Sequence, residues 1–282
     1  MDRLKLQQSL VPLCTFILLL VMSIIGWQAS RDILHERSLS RFELETGYLN
    51  QQIHSRFDTY AQVLRGGVGL FNGSETVSRN EWRNYVAELS LPIYFPGIQG
   101  VGFSRWIDGS EELTRHEART RAEGFPDYTL HPVGDRDIYT AIEFLEPFDM
   151  RNRKAFGYDM YSESTRRAAM DRARDTGQPA LSGKVELVQE ITTNKQAGFL
   201  LYLPVYKAQA HPQTLAERRE QLAGFVYSPF RANDLMKGIL QKGLSTISFR
   251  IYDESPSVEN SLLYDGEQDL SVERHGVPAQ FT

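Results

Sequence analysis

A single cysteine, Cys14, stands in the 282 residues, so no internal disulfide can form. It lies in an apolar N-terminal run without a small-residue lipobox, and reads as a small lipid-facing residue. Basic charge is not in excess. Lys and Arg number 31 against 36 Asp and Glu, for a net charge of −5. That balance gives no reason to expect a nucleic-acid partner, which usually meets a basic face. The six histidines (His35, His54, His116, His131, His211, His275) show no His-x-x-x-His spacing and have no cysteine partner, so no metal site is expected. There is no Gly-x-Ser-x-Gly elbow. Gly66-Gly67-Val68-Gly69 has neither a preceding strand nor a following Lys-Ser/Thr, which removes the phosphate-loop reading. Asp135 with Asp137, or Glu143 with Glu146, could be posed as a carboxylate pair for glycoside chemistry. Acidic residues at strand ends are usually solvated, so no catalytic residue, cofactor or metal is assigned. Apolar runs of membrane length are also scarce, because only one exists.

That run is Leu10–Trp27, 18 residues long, within a stretch from Gln7 to Ser30 that carries no charge. A span needs about 20 residues at about 1.5 Å each, with a tolerance of a few. Arg3 and Lys5 precede it and belong on the cytoplasmic side by the positive-inside rule. The alternative is a cleaved signal peptide ending at Gln28-Ala29-Ser30, but the apolar core exceeds the usual h-region. The expected order is a cytoplasmic N-terminus over 1–9, a transmembrane helix over 10–28 and a stalk helix over 29–71. Leu39, Phe42, Thr46, Leu49, Ile53, Phe57, Tyr60 and Leu64 recur at steps of three and four, a narrow stripe suited to a seam between two helices. The first half is expected to pair with a second copy of the chain and the second half to pack on the following domain. Gly66, Gly67 and Gly69 should end or loosen this helix.

Beyond it, Ser78 and Glu81 form a capping box for a helix to about Leu89. Gly97–Ile107 alternates as a strand. Its small residues Gly100, Gly102 and Ser104 share a face and leave room for a ligand or a packed helix. Glu111–Glu123 reads as a charged helix, and Tyr128–Val133 and Ile138–Leu145 as strands. A helix capped by Ser162 or Ser164 should stop at Gly177. A strand pair, Lys184–Glu190 and Gly198–Tyr206, then buries Leu187, Phe199, Leu201 and Leu203 and leaves a cavity between helix and sheet. Past a polar excursion, Ala223–Ser228, Arg231–Lys242 and Ser245–Tyr252 read strand, helix, strand.

The steps Asp159-Met160, Arg172-Ala173-Arg174-Asp175-Thr176-Gly177, Leu181-Ser182 and Leu203-Pro204-Val205-Tyr206, with Pro96–Phe103 upstream, resemble the CHASE domain. This is the extracytoplasmic sensor of histidine kinases and nucleotide cyclases, the plant cytokinin receptors included. The resemblance covers roughly residues 40 to 250. It implies an α+β fold of tandem PAS-like domains with antiparallel sheets. A membrane-distal ligand-binding domain would span 72–206, and a second, truncated, membrane-proximal subdomain would span 207–282.

The resemblance also implies a ligand site. Asp159 matches an acidic residue that receives N–H groups of an adenine-type hormone in the plant relatives, and Leu181 matches a residue whose backbone faces that ligand. Phe103, Phe199 and Tyr202 are wall residues by strand position. Asp159 could instead only cap the next helix or bind Arg172 or a backbone amide. Tyr158, Tyr161 and the 191–196 turn depart from the plant pattern, so hormone identity does not carry over.

The function expected is the small-molecule input region of a single-pass receptor in a bacterial inner (plasma) membrane, with its bulk periplasmic or extracellular. It would be a homodimer through the stalk. The ligand would be small and purine- or cytokinin-like, and the output would be a histidine kinase or diguanylate cyclase outside this chain, which then reads as a fragment. Two other classes remain, a membrane-anchored dimeric scaffold without ligand and a periplasmic hydrolase.

Overall fold

The computed structural model describes residues 2–190, 195–207, 210–240, 248–254 and 261–266. The chain divides into two units, 1–52 and 53–282. Helix α1, Asp2–Asn72, begins in the first and ends in the second. In the first unit, Phe16, Leu19, Met22 and Trp27 are exposed, and by length and composition this is the helix among the described residues that could cross a membrane. A signal sequence would meet the same test.

The second unit is built on one antiparallel sheet with strand order β2-β1-β5-β4-β3. The strands are β1 (Val101–Asp108), β2 (Ile138–Glu146), β3 (Ala180–Leu181), β4 (Gly198–Tyr206) and β5 (Leu222–Arg231). Six helices accompany them: α2 (Arg79–Glu88), α3 (Leu91–Tyr94), α4 (Gly109–Ala122), α5 (Met150–Arg153), α6 (Ser164–Thr176) and α7 (Leu215–Glu220). Helix α8 (Ala232–Leu240) follows β5 directly, and β6 (Arg250–Tyr252) pairs with β7 (Leu262–Asp265) in a separate two-stranded sheet. The expected α+β class with a long N-terminal helix and an antiparallel sheet is what the chain adopts.

Residues 53–72, the second half of the expected stalk helix, pack on the following domain as expected and belong with it to the second unit. Ile53, Phe57, Tyr60 and Leu64 lie against Phe199, Phe230 and Val226 in one core. Gly66 and Gly67 do not end the helix. A Cβ on Gly66 would strike the Tyr85 hydroxyl, and one on Gly67 would press on Trp82 and Val226, so these glycines serve close approach. The strand read as opening a second unit after residue 207 is β5, which lies in the middle of the first sheet between β1 and β4. Sequence order does not betray this, because β5 returns to the sheet after a polar loop.

Other elements shift locally. The cap of α6 is Glu163, whose side chain accepts from the Thr165 and Arg166 amides, rather than Ser162 or Ser164. Gly177 ends that helix as expected, in a left-handed conformation that a side chain would resist. Residues 184–190 are not a strand, and only Val185 bridges to Gly198. Tyr128–Val133 is likewise reduced to one bridge, between His131 and Tyr158. The expected helix to Lys242 and the strand from Ser245 fall partly outside the described residues.

The sheet is covered on both faces. Val101, Phe103, Phe199, Leu201, Leu203 and Phe230 face the core formed with α1, α2 and α8. Ile142, Leu200, Tyr202, Phe225 and Tyr227 face the core formed with α6. Strand β4 is therefore apolar at nearly every position, as strands buried on both sides are.

Candidate functional site

The face under α6 holds a recess bounded by Met160, Arg166, Leu187, Gln189, Leu200 and Tyr227. Its free volume is about 10 Å³, space for about one water. Helix α6 brings Arg166, the sheet brings Leu200 and Tyr227, and the segment after β3 brings Leu187 and Gln189.

Tyr227 is fully buried, and its hydroxyl has no hydrogen-bond partner among the described residues. Burial pushes that phenol far above its ordinary range, so it is a neutral hydroxyl able to donate and accept. Leaving such a group unpaired costs roughly 1–3 kcal/mol, so the chain carries unspent hydrogen-bonding capacity at this point. Gly102 makes room for the ring, since a Cβ there would lie 2.6 Å from the Tyr227 ring edge. The space that the small residues of β1 were expected to leave is thus filled by Tyr227. Ser104, on the same face, has a second buried hydroxyl without a partner among the described residues.

Arg166 is buried beside Tyr227. It donates to the Glu186 carbonyl at 2.7 Å and pairs with Glu163 at 3.2 Å. Gln189 is buried and donates to Asn152 Oδ1 at 3.5 Å. Tyr202 lies against the same core, and its hydroxyl meets only the sulfur of Met160, at 3.4 Å, a weak acceptor. The polar groups converging here are mostly donors.

The five residues expected at the site do not converge. Asp159 is fully buried but occupied by its own chain. Its Oδ1 accepts from the Thr140 amide at 2.9 Å, the Thr140 hydroxyl at 3.2 Å and the Tyr161 amide at 3.1 Å. Its Oδ2 accepts from Arg136 Nε at 3.1 Å. Asp159 caps the 3₁₀ turn Met160–Ser162 and ties it to β2. Of the two roles open to it, the structure gives the capping and backbone-binding one.

Leu181 sits on the edge strand β3, more than a third exposed, with its carbonyl engaged by Arg172. Phe103 and Phe199 point to the opposite face of the sheet. Phe103 packs on Phe71 with ring centroids 4.2 Å apart, and Phe199 stacks on Phe230 at 5.2 Å. Leu201 and Leu203, expected to be buried by the strand pair, are buried and also face α1. Only Tyr202 lies on the recess side. A one-position error in parity flips every side chain of a strand, and an all-apolar strand gives no alternation to prevent it.

Tyr227, Arg166 and Gln189 were missed. The available signal was Gly102, which faces its cross-strand neighbour Tyr227 in register, but that pairing is not visible before β5 is placed beside β1. The carboxylates posed as a solvated catalytic pair, Glu143 and Glu146, are buried and held by arginines. Burial pushes the Glu143 carboxyl up, but Arg105, His116 and Arg119 together more than offset this and hold it below its usual range. Among the described residues no group of three or more His, Cys, Asp or Glu could hold a metal ion.

Comparison with known proteins bears on the same segment. The CHASE-domain profile matches residues 75–264, on both sides of the boundary expected at 207. Hybrid signal transduction histidine kinase A of Dictyostelium discoideum is 27% identical over 176 residues, 61% of this chain and 8% of that protein. The chain therefore spans less than a tenth of that relative. Among solved structures, the ligand-binding domain of the Pseudomonas aeruginosa PAO1 amino acid chemoreceptor PctC, in complex with GABA, aligns over 83% of this chain and 80% of its own. It does so with a TM-score of 0.46 and 11% identity, a likeness too slight to carry an argument. The family match alone takes in most of the sensor unit, sheet and recess included, and the chain belongs to the CHASE-domain family.

Proposed function

We propose that this chain is the extracytoplasmic input region of a membrane signalling receptor, and that a small molecule binds in the recess under α6. The observation that carries this reading is the unpartnered Tyr227 hydroxyl, sealed in a recess that also holds Arg166 and Gln189. A protein rarely leaves a buried polar group unpaired without a use for it. The donors present call for a ligand that brings acceptors, such as a carbonyl, a carboxylate or an unprotonated ring nitrogen. That requirement departs from the expected purine-type ligand held by a carboxylate, because Asp159 has four donors of its own.

A recess with room for about one water must open to admit a ligand. Its weakest wall is 187–189, which belongs to no strand. The residues before it are joined to the sheet by the two-residue β3 and the single Val185–Gly198 bridge. Opening of that wall is the second state that a sensor needs, and a ligand that prefers it shifts the population toward it. In this reading α1 is both membrane anchor and output lever, in a homodimer. The output, a histidine kinase or diguanylate cyclase, lies outside the chain.

The test is a thermal-shift screen of the detergent-solubilised chain against amino acids, carboxylates and purines, followed by hydrogen exchange with each hit. A ligand at about 100 times its dissociation constant should add roughly 2.7 kcal/mol of stability, with protection changes concentrated at 185–190. If every hit alters exchange elsewhere and leaves 185–190 untouched, the assignment is contradicted. A screen without hits favours the anchored scaffold.

A further inference from the structure

A second concavity lies away from the recess, and nothing in the proposed sensing role uses it. It is an open groove of about 500 Å³ between the loop 124–131 and the end of α5 with the residues after it, within the size range of small-molecule sites. Its floor is aromatic. Phe125 and Tyr128 each approach Phe156 to 4.8 Å between ring centroids, and Phe148 closes the cluster at 5.4 Å from Phe156.

The floor is held rigidly from one side by a cation. The Arg79 guanidinium stands 4.7 Å from the Phe125 centroid and 5.3 Å from that of Phe156. It is fixed there by the Glu143 carbonyl at 2.6 Å and by Glu123 at 3.0 Å. A cation against an aromatic face draws on the ring's negative quadrupole, which leaves the rings poorer hosts for a second cation and better ones for an anion.

The rim agrees. Arg153 and Lys154 line the groove and both are exposed; Arg153 donates to the Phe148 carbonyl at 3.3 Å and lies 5.3 Å from the Phe148 ring, and among the described residues neither cation has a carboxylate partner. Asp127 is the one acid on the lining. The groove thus carries two cations against one carboxylate in a chain whose net charge is −5.

We propose that this groove binds a small planar anion, an aromatic carboxylate whose ring lies on the Phe125–Phe156 floor and whose charge meets Arg153 and Lys154. The site is separate from the recess, shares no lining residue with it, and does not depend on it.

The test is calorimetric titration of the detergent-solubilised full chain with phenylacetate. Cyclohexylacetate serves as the non-aromatic control and phenethylamine as the control of opposite charge. Phenylacetate should bind saturably, and both controls should be weaker by about fivefold or more. Lys154→Glu, at an exposed position, should keep the parent melting curve and weaken phenylacetate by about fivefold or more. Tyr227→Phe should leave phenylacetate affinity unchanged. No saturable binding up to about 10 mM, equal binding of the amine, or undiminished binding to Lys154→Glu would each overturn the proposal. Loss of binding in Tyr227→Phe with Lys154→Glu unaffected would overturn it too, while leaving the recess assignment standing.

Discussion

The two faces of the central sheet bury polar atoms in different ways. On the face toward α1, the Tyr60 hydroxyl donates to the Pro96 carbonyl at 2.7 Å, the Tyr85 hydroxyl to that of Val63 at 2.6 Å, and Trp82 Nε1 to that of Val101 at 3.2 Å. On the face toward α6, among the described residues, the hydroxyls of Tyr227 and Ser104 have no partner and that of Tyr202 has only a thioether. Both faces bury aromatic rings, so the contrast lies in how their polar atoms are partnered. The tyrosine and tryptophan groups of one face are paired, with Arg79 Nε of α2 an unpaired buried atom there, while the other face leaves the tyrosine and serine hydroxyls unpaired among the described residues. Where the polar atoms are already paired, substitution should cost stability. Where they are not, it should cost binding.

The largest effect should fall on the paired side. Phe199→Ala removes a ring stacked on Phe230 and packed on Phe57. It should lose roughly 3–5 kcal/mol of unfolding free energy, measured by urea denaturation, with any ligand still bound at temperatures where the variant is folded. A small loss would mean the α1 face is not the rigid one.

Asp159→Ala is nearly as severe. It leaves Arg136 and the Thr140 and Tyr161 amides without their acceptor, and breaking one side of a buried ion pair costs roughly 3–5 kcal/mol. Recovery of the full melting temperature in this variant, with ligand response abolished, would restore Asp159 to the binding site.

The His116 cluster sharpens the comparison through pH. Arg119 can only donate, so His116 Nδ1, 3.1 Å from it, accepts, and the ring proton rests on Nε2, 3.0 Å from the Tyr128 hydroxyl. Burial, with smaller contributions from Arg119, Arg105 and Arg79, lowers the His116 pKa to about 4, against an upward pull from Glu143. The unfolded chain therefore binds this proton more readily than the folded one. Stability is full above about pH 6.5 and falls as pH drops toward 4, by up to about 3 kcal/mol. In His116→Gln the slope of stability against pH over that window should flatten. An unchanged slope would show that the histidine is solvated.

Asp175 acts lower on the scale. Its hydrogen bond from Arg219, helped by Arg174 and opposed by burial, holds the carboxyl well below its usual value. The stability it contributes is present above the ordinary aspartate range and lost only in strong acid. Arg219→Ala should therefore move acid unfolding to higher pH while changing neutral stability by no more than about 1 kcal/mol.

The contrast between the faces also decides how much could be read beforehand. The membrane-length run, the capping box at Ser78–Glu81, α6 with its stop at Gly177, and strands β1, β2 and β4 are legible because local chemistry specifies them. The side chains facing α6 are not. Strand β4 is apolar on both faces, so its parity is silent, and Phe199 was assigned to the wrong side. The position of β5 is fixed by long-range pairing with β1 and β4, which no local pattern encodes, so neither the single sheet nor the Tyr227 hydroxyl at its centre could be seen. Asp159 was noticed for its charge, and only the neighbours Thr140 and Arg136, some twenty residues upstream, reveal what that charge does.

The most direct test is Tyr227→Phe, followed by equilibrium unfolding and by the same ligand screen. Deleting an unpaired buried hydroxyl should leave unfolding free energy within about 1 kcal/mol of the parent or raise it. It should also abolish the thermal shift of every ligand that protects 185–190. If the variant is markedly less stable and its ligand shifts are intact, the hydroxyl has a structural partner and the recess under α6 is not where this sensor binds.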